Sequence, residues 1–191
     1  ISLAVRVLHY LPGCNAEDAA IVDTDDMNRI LPVLDAADAE SQLAAMADGA
    51  AYVELFKDYG KEIRVALTRV GGRPVGLVVG NGKENDGVLT AQSASKAARF
   101  IRLCDCYSLP VVSLINSKGV AVPTVDEQAA TIKATTQLLY AYAEATTAKV
   151  SIVTGNAIGQ AYVAMGGKSN ADVTYAWPGA VISALTPEAA V

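Results

Sequence analysis

Residues 154–167 read TGNAIGQAYVAMGG and follow directly on the apolar run KVSIV. A glycine-rich turn between a buried strand and a helix sets backbone N–H groups where an anion or a developing oxyanion can sit. This stretch is the first candidate for chemistry, with the backbone as the reagent; the plainer alternative is that its small residues only let elements pack closely. Side chains offer less. His9 is the single histidine, within the apolar stretch VRVLHYLP, so a Ser-His-Asp triad, a Cys-His pair or a histidine metal site has almost nothing to build on. A helix-face histidine is the simpler account of it. Neither a GxGxxG after a strand nor a GxxxxGK[ST] occurs, so the nucleotide-cradling loops are absent from the sequence.

Stepping from candidate residues to the chain that must hold them, 191 residues at 52% hydrophobic suffice for one domain with an appendage. The net charge of −5 comes from 15 basic and 20 acidic residues that are scattered along the chain. No basic stripe is present, which argues against a nucleic-acid partner. Cys14, Cys104 and Cys106 show no CxxC spacing, and the last two lie in an apolar helical pattern. That fits reduced thiols buried as small hydrophobes in a cytoplasmic protein. No apolar run approaches the roughly 18 residues of a membrane span, and no charged n-region precedes an h-region. The chain begins with Ile1 rather than Met, as expected of a piece of a longer polypeptide.

Residues 2–11 place Leu3, Val7 and Tyr10 or Leu11 at helical spacing and stop at Pro12-Gly13. The acidic, turn-rich segment that follows makes 1–40 read as the end of a preceding domain and a linker. From about Ser41 the pattern becomes regular: a helix SQLAAMADG ending at Gly49, a strand AYVELF, then IRVALTRV and RPVGLVVGN joined by Gly71-Gly72 as a tight hairpin. Beyond Asn81, strands and helices alternate. Residues 91–107 put Ala94, Ala97, Ile101 and Cys104 on one helical face, and PVVSLI reads as a buried strand. Thr124 and Glu127 form a Thr-x-x-Glu box opening a helix to about Thr146, with Ala129, Ile132, Leu139 and Ala143 on its face. KVSIV is the next strand, GQAYVAMG a short helix, and ADVTYAWPGAVISAL one or two further strands. Repeated strand–crossover–strand units predict an α/β fold with a largely parallel sheet flanked by helices.

Five segments in order, GGRPVGLVVGN, KAARFIRLCDCYSLPVV, LLYAYAEAT, GNAIGQAYVAMGGK and DVTYAWPGA, resemble the C-terminal half of the carboxyltransferase component (beta-type subunit) of biotin-dependent acyl-CoA carboxylases. HYLPGCNAED and GKEIRVALTRV resemble the junction between the halves of that component. The resemblance implies a crotonase-like fold of repeated ββα units, with 41–191 as the C-terminal carboxyltransferase domain. It also implies transfer of a carboxyl group between carboxybiotin, borne on a biotin carboxyl carrier protein, and a coenzyme A thioester. Both partners pass through oxyanions, each met by a pair of backbone donors, one pair from each half of the polypeptide. The pair in this half is similar to a Gly-Gly-Ala stretch matching Gly159, Gln160 and Ala161, with Gly119, Lys118, Tyr162 and Val163 around the biotin pocket.

Two departures stand out. Gln160 replaces the second glycine; with Gly159 as N-cap it is the first helical residue, needs no positive φ and keeps its N–H. NSKGVAVP at 116–123 stands where the family has a Pro-Gly-Phe type loop, retaining Gly119 but carrying Lys118 and Val120. Lys118 either meets an anion such as carboxybiotin or a CoA phosphate, or is a solvated surface lysine. Val163 stands where some relatives carry an acidic residue. The alternative readings are the equivalent subunit of a biotin-dependent acyl-CoA decarboxylase, which is the same reaction run in reverse, and a non-catalytic scaffold with the same fold. The family also implies self-association and an N-terminal carboxyltransferase half.

Overall fold

The computed structural model describes residues 1–191 except positions 23, 24, 27, 33, 122–124, 187, 188, 190 and 191, and the side chains of 125–129. The elements run α1 (Ser2–Leu8), α2 (Ala39–Met46), β1 (Tyr52–Leu55), β2 (Ile63–Val70), β3 (Arg73–Gly80), α3 (Ala91–Cys106), β4 (Val111–Ser117), α4 (Val125–Glu144), β5 (Lys149–Ile158), α5 (Gly159–Ala164), β6 (Val173–Ala176) and β7 (Val181–Ser183). One sheet holds them in the order β1-β2-β3-β4-β5-β6, with β7 also pairing β5. β1–β2 and β2–β3 are antiparallel, and every later pairing is parallel.

The β2–β3 hairpin closes at Val70↔Arg73 through Gly71 and Gly72, both left-handed at φ 59° and 77°. Two positive φ values are what a type I′ turn demands, and glycine adopts them without a Cβ clash. The Asp48 carboxylate accepts from the Gly71 N–H (3.0 Å) and the Gly72 N–H (2.7 Å). Arg69, nearly buried, donates to the carbonyls of Ala20 (2.6 Å), Gly72 (3.0 Å) and His9 (3.1 Å), with its guanidinium over the Tyr10 ring. This cation ties the N-terminal segment to the hairpin.

Alternation along the strands sends Val65, Leu67, Val78, Val111, Ile115 and Val153 to one face, where α3 and α4 cover them. Ala66, Leu77, Val79 and Leu114 lie on the other, under Ala39 and Leu43 of α2. With both faces covered, the strands read as nearly continuous apolar runs. Thr90 caps α3, its Oγ1 accepting from Ser93 N–H while Ser93 Oγ accepts from Thr90 N–H. The expected face of Ala94, Ala97, Ile101 and Cys104 is wholly buried. α3 sits so close to β3 that a Cβ on Gly76 would come within 2.4 Å of Cys104 Sγ.

Three expectations need correction. On α4 the buried residues are Thr131, Ala134, Thr135, Leu138, Ala141 and Tyr142, whereas Ile132 is 63% exposed and Ala143 is exposed. Small residues let α4 approach α3, and Tyr142 is buried with its hydroxyl paired to Ser113 Oγ at 2.7 Å, so bulk was the wrong guide to the inward face. Ala129 and the Thr124–Glu127 box lie outside the described residues. Cys104 alone of the three cysteines is buried, and burial pushes its thiol up to about 12; Cys14 and Cys106 are exposed. Lastly, β5 runs on through TGNAI to Ile158, so the turn comes five residues later than expected after KVSIV.

Lys96 on α3 is 2% exposed and donates to the carbonyls of Phe56 (3.2 Å), Tyr59 (2.7 Å) and Gly60 (3.2 Å) in the β1–β2 loop. Among the described residues no carboxylate bonds it, and desolvation lowers its pKa from 10.5 to about 8. Between those values the unfolded chain binds a proton that the folded chain has released, so stability rises with pH across that window. The urea midpoint of the wild type is therefore expected to climb relative to that of Lys96→Met from about pH 8 to about pH 10. A gap between the two that stays constant with pH would show that the ammonium is not desolvated.

Candidate functional site

The carboxyl ends of β4 and β5 lie side by side, but their pairing is interrupted. Ile115 faces Val153 and Ser117 faces Ala157, so β5 carries two more residues than β4 across the same interval. Asn116, 5% exposed, fills the break. Its Oδ1 accepts from Asn156 N–H (2.9 Å), and its Nδ2 donates to the Ala36 carbonyl (2.6 Å). Thr154 Oγ1 reaches the Ile115 carbonyl at 3.4 Å. Beyond the bulge β5 pairs with β7, Asn156 opposite Val181 and Ile158 opposite Ser183. The last turn of β5 is thereby held from both sides.

The chain then turns sharply into α5. Gly159 has φ 56°, and a Cβ there would stand 3.1 Å from the Ala184 carbonyl. Ile158, not Gly159 as expected, is the N-cap, so Gln160 is the second residue of α5; Ile158 makes no side-chain capping bond, and the N–H groups of the first turn have no side-chain acceptor supplied by the cap. Two grooves border this helix. One, of about 500 Å³, is lined by Gly159, Gln160, Tyr162, Val163, Ile182, Ser183 and Ala184. The other, of about 250 Å³, lies between α5 and α4 and is lined by Ile132, Thr135, Thr136, Leu139, Gln160, Val163 and Ala164. Gln160 and Val163 face both.

The structure separates the sequence-derived candidates. Gly159, Gln160, Tyr162 and Val163 converge on the larger groove. Ala161 does not, being wholly buried, so of the three residues matched to the Gly-Gly-Ala stretch only Gly159 and Gln160 border it. Tyr162 is partly committed to packing: a Cβ on Gly167 would come within 3.1 Å of its ring, and its hydroxyl accepts from Lys168 N–H at 3.2 Å. Lys118 and Gly119 line neither groove. The Lys118 ammonium is ion-paired with Asp86 at 3.1 Å, and its N–H donates to the Asp86 carbonyl. Gly119, at φ 140°, accepts from Leu89 N–H through its carbonyl. The loop after β4 is thus stitched to the loop before α3, whose residues Asn85, Asp86 and Gly87 are all left-handed. Among the described residues no group of His, Cys, Asp or Glu is arranged to hold a metal, and no helix is long and apolar enough to cross a membrane.

Sequence reasoning missed Asn116, whereas β6 and β7 are the two further strands expected within ADVTYAWPGAVISAL. Asn116 left one signal: glycines at 80, 82, 87 and 155, each of which would place a Cβ within 2.9 Å of its atoms.

An α/β sheet with an uncapped elbow at the carboxyl end of a central strand matches one family over its whole length. Residues 1–191 fit the carboxyl transferase domain, and the chain belongs to that family. It is 35% identical to the carboxyltransferase subunit of propionyl-CoA carboxylase from Haloferax mediterranei, over 97% of this chain and 38% of that protein. It is 34% identical to methylmalonyl-CoA decarboxylase subunit alpha of Propionigenium modestum, with the same coverage. Among solved structures, transcarboxylase 12S, a hexamer determined with methylmalonyl-coenzyme A bound, superposes with a TM-score of 0.91 at 32% identity, over 99% of this chain and 38% of its own. The chain therefore spans less than two fifths of the length of these relatives. The fold is the crotonase-like one that the resemblance implied.

The elbow geometry has a measurable consequence. Gly49 shares φ 56° with Gly159 but has open space around its absent Cβ. Gly49→Ala is expected to cost about 1 kcal/mol from the left-handed backbone alone, and Gly159→Ala distinctly more, because the new methyl presses on the Ala184 carbonyl. Equal losses in urea denaturation would mean that the segment after β7 does not close on the turn.

Proposed function

We propose that this chain is the biotin-facing half of an acyl-CoA carboxyltransferase, working with a biotin carboxyl carrier protein and an N-terminal carboxyltransferase half in a cytoplasmic homo-oligomer. Carboxybiotin supplies the activated carboxyl group, and a coenzyme A thioester receives it or gives it up. The observation that carries the reading is the β5–α5 elbow. Gly159 and Gln160 present backbone to an open groove from a helix start without a side-chain cap, which suits an anionic oxygen that must be hydrogen-bonded as charge develops. Left-handed Gly159 lets a planar ring approach the backbone where any side chain would intrude. Val163, exposed between the two grooves, gives the site an apolar flank. The names of the relatives support an acyl group of the propionyl or methylmalonyl class.

Ala161 serves this site by packing: a methyl that fits under the helix start fixes its direction. Lys118 contributes through Asp86, the pair pinning the loop after β4. The decarboxylase reading uses the same groove and the same donors with the carboxyl group moving the other way. The scaffold reading leaves the open groove beside the elbow without an occupant, whereas the carboxyltransferase reading gives it one.

Two experiments test the proposal. The isolated 191-residue chain is expected to show no acyl-CoA carboxylation with any biotin donor; turnover by it alone overturns the split-site reading. In the complete enzyme, Gln160→Pro is expected to fold, because proline is tolerated in the first turn of a helix and Gly159 before it is left-handed rather than right-handed helical. It removes one N–H, so transfer to or from biotin should fall by about 10²–10³, whereas Gln160→Gly should stay within roughly tenfold. Full activity in a folded proline variant would falsify the Gln160 N–H as a donor.

A further inference from the structure

The Asn116 carboxamide lies between Gly82 and Gly155, while Gly80 and Gly87 close on its backbone oxygen. A Cβ would stand 2.6 Å from the Asn116 backbone oxygen at Gly80 and 2.2 Å from it at Gly87, 2.7 Å from Nδ2 at Gly82, and 2.6 Å from Oδ1 at Gly155. The enclosure leaves the carboxamide one orientation. On one side lies a donor, Asn156 N–H, and on the other an acceptor, the Ala36 carbonyl; the flipped amide would set donor against donor and acceptor against acceptor. The bond to Asn156 replaces the ladder hydrogen bond that the β4–β5 bulge abolishes. Asn156 is three residues before Gly159, along a strand whose remaining length is fixed on its other edge by β7. The second arm reaches residue 36 in the segment between the N-terminal helix and α2, a segment also held by Gln42 Nε2 on the Asp35 and Ala36 carbonyls.

We propose that Asn116 is a positioning residue for the carboxyl-transfer site: its Oδ1 sets the bulge that aims the Gly159–Gln160 turn into the groove, and its Nδ2 ties the 35–38 segment to the same point. The proposal rests on the carboxyltransferase reading for its catalytic consequence, but the clamp itself does not. The two arms are chemically separable. Asn116→Ala deletes both. Asn116→Asp keeps an acceptor for Asn156 N–H and turns the other arm into an oxygen facing an oxygen.

The complete enzyme carrying each variant is the test, read by hydrogen exchange of the peptide spanning 154–158 and by steady-state kinetics. In Asn116→Ala the peptide is expected to lose protection and kcat to fall about 10²-fold, the scale on which a misplaced catalytic group is felt, with KM for the acyl-CoA unchanged. In Asn116→Asp protection stays and kcat remains within about tenfold of wild type, while the melting temperature drops because the linker arm is repelled. Asn116→Ala with full kcat overturns the positioning role, as does Asn116→Asp with the alanine variant's kcat and exchange. An unprotected Asn156 amide in the wild type overturns the clamp. Absence of any carboxyl transfer by the wild-type enzyme overturns the carboxyltransferase reading instead, and the exchange data then judge the clamp alone.

Discussion

The break between β4 and β5 is the constraint on which the site depends. A parallel pair in continuous register would carry both strands straight to the sheet edge and leave their following loops equally far out. Here β5 gains two residues between Val153 and Ala157, which bends it and re-aims everything downstream, as bulges beside sites do. A bulge of this kind leaves ladder groups without strand partners, and such groups are costly when buried. The Asn116 amide and the Thr154 hydroxyl supply the missing partners. Gly82 and Gly155 follow from the same requirement, because a carboxamide that bonds two backbones at once must lie between them with no Cβ in the way.

The rest of the fold holds that break still. Both faces of the central strands are covered, α2 on one side and α3 with α4 on the other, so neither β4 nor β5 can rotate without opening a packed layer. The small residues of α4 and Gly76 of β3 let the helices come in close, where dispersion contacts are densest. Lys96 anchors the β1–β2 loop from within by three carbonyls. A buried ammonium is a costly anchor, yet it fixes direction as no methyl could.

Periodicity made the layers legible and could not reveal what depends on single contacts. The hairpin at Gly71-Gly72, the α3 face and the run PVVSLI could be read because each repeats one physical rule several times over. The inward face of α4 was misread because Ile132 and Leu139 outweighed alanines and threonines in a hydrophobic count, whereas the structure selects for close approach and for the Tyr142–Ser113 bond. KVSIV was ended too early because TGN resembles a turn, although Gly155 is there to admit Asn116. Gly159, Gln160 and Val163 were candidates because the segment around them resembles a family's, and all three line one groove. Asn116 was passed over, since one buried amide among apolar residues leaves no pattern along the chain.

The proposed site, built from backbone, would need little side-chain chemistry. Donors at a helix start are fixed by the covalent path of the chain, so their alignment needs no side-chain ordering when charge develops. The same fact explains why Gln160 is compatible with the site although a glycine is the family's choice there. Only the residue before it must be left-handed, and Gly159 meets that need; Gln160 is the second residue of α5, with its side chain exposed and its N–H unchanged. What such a site cannot tolerate is a change in the direction of the strand that feeds it. Selection should then act less on the atoms that touch the ligand than on the buried Asn116 amide and the glycines packed against it.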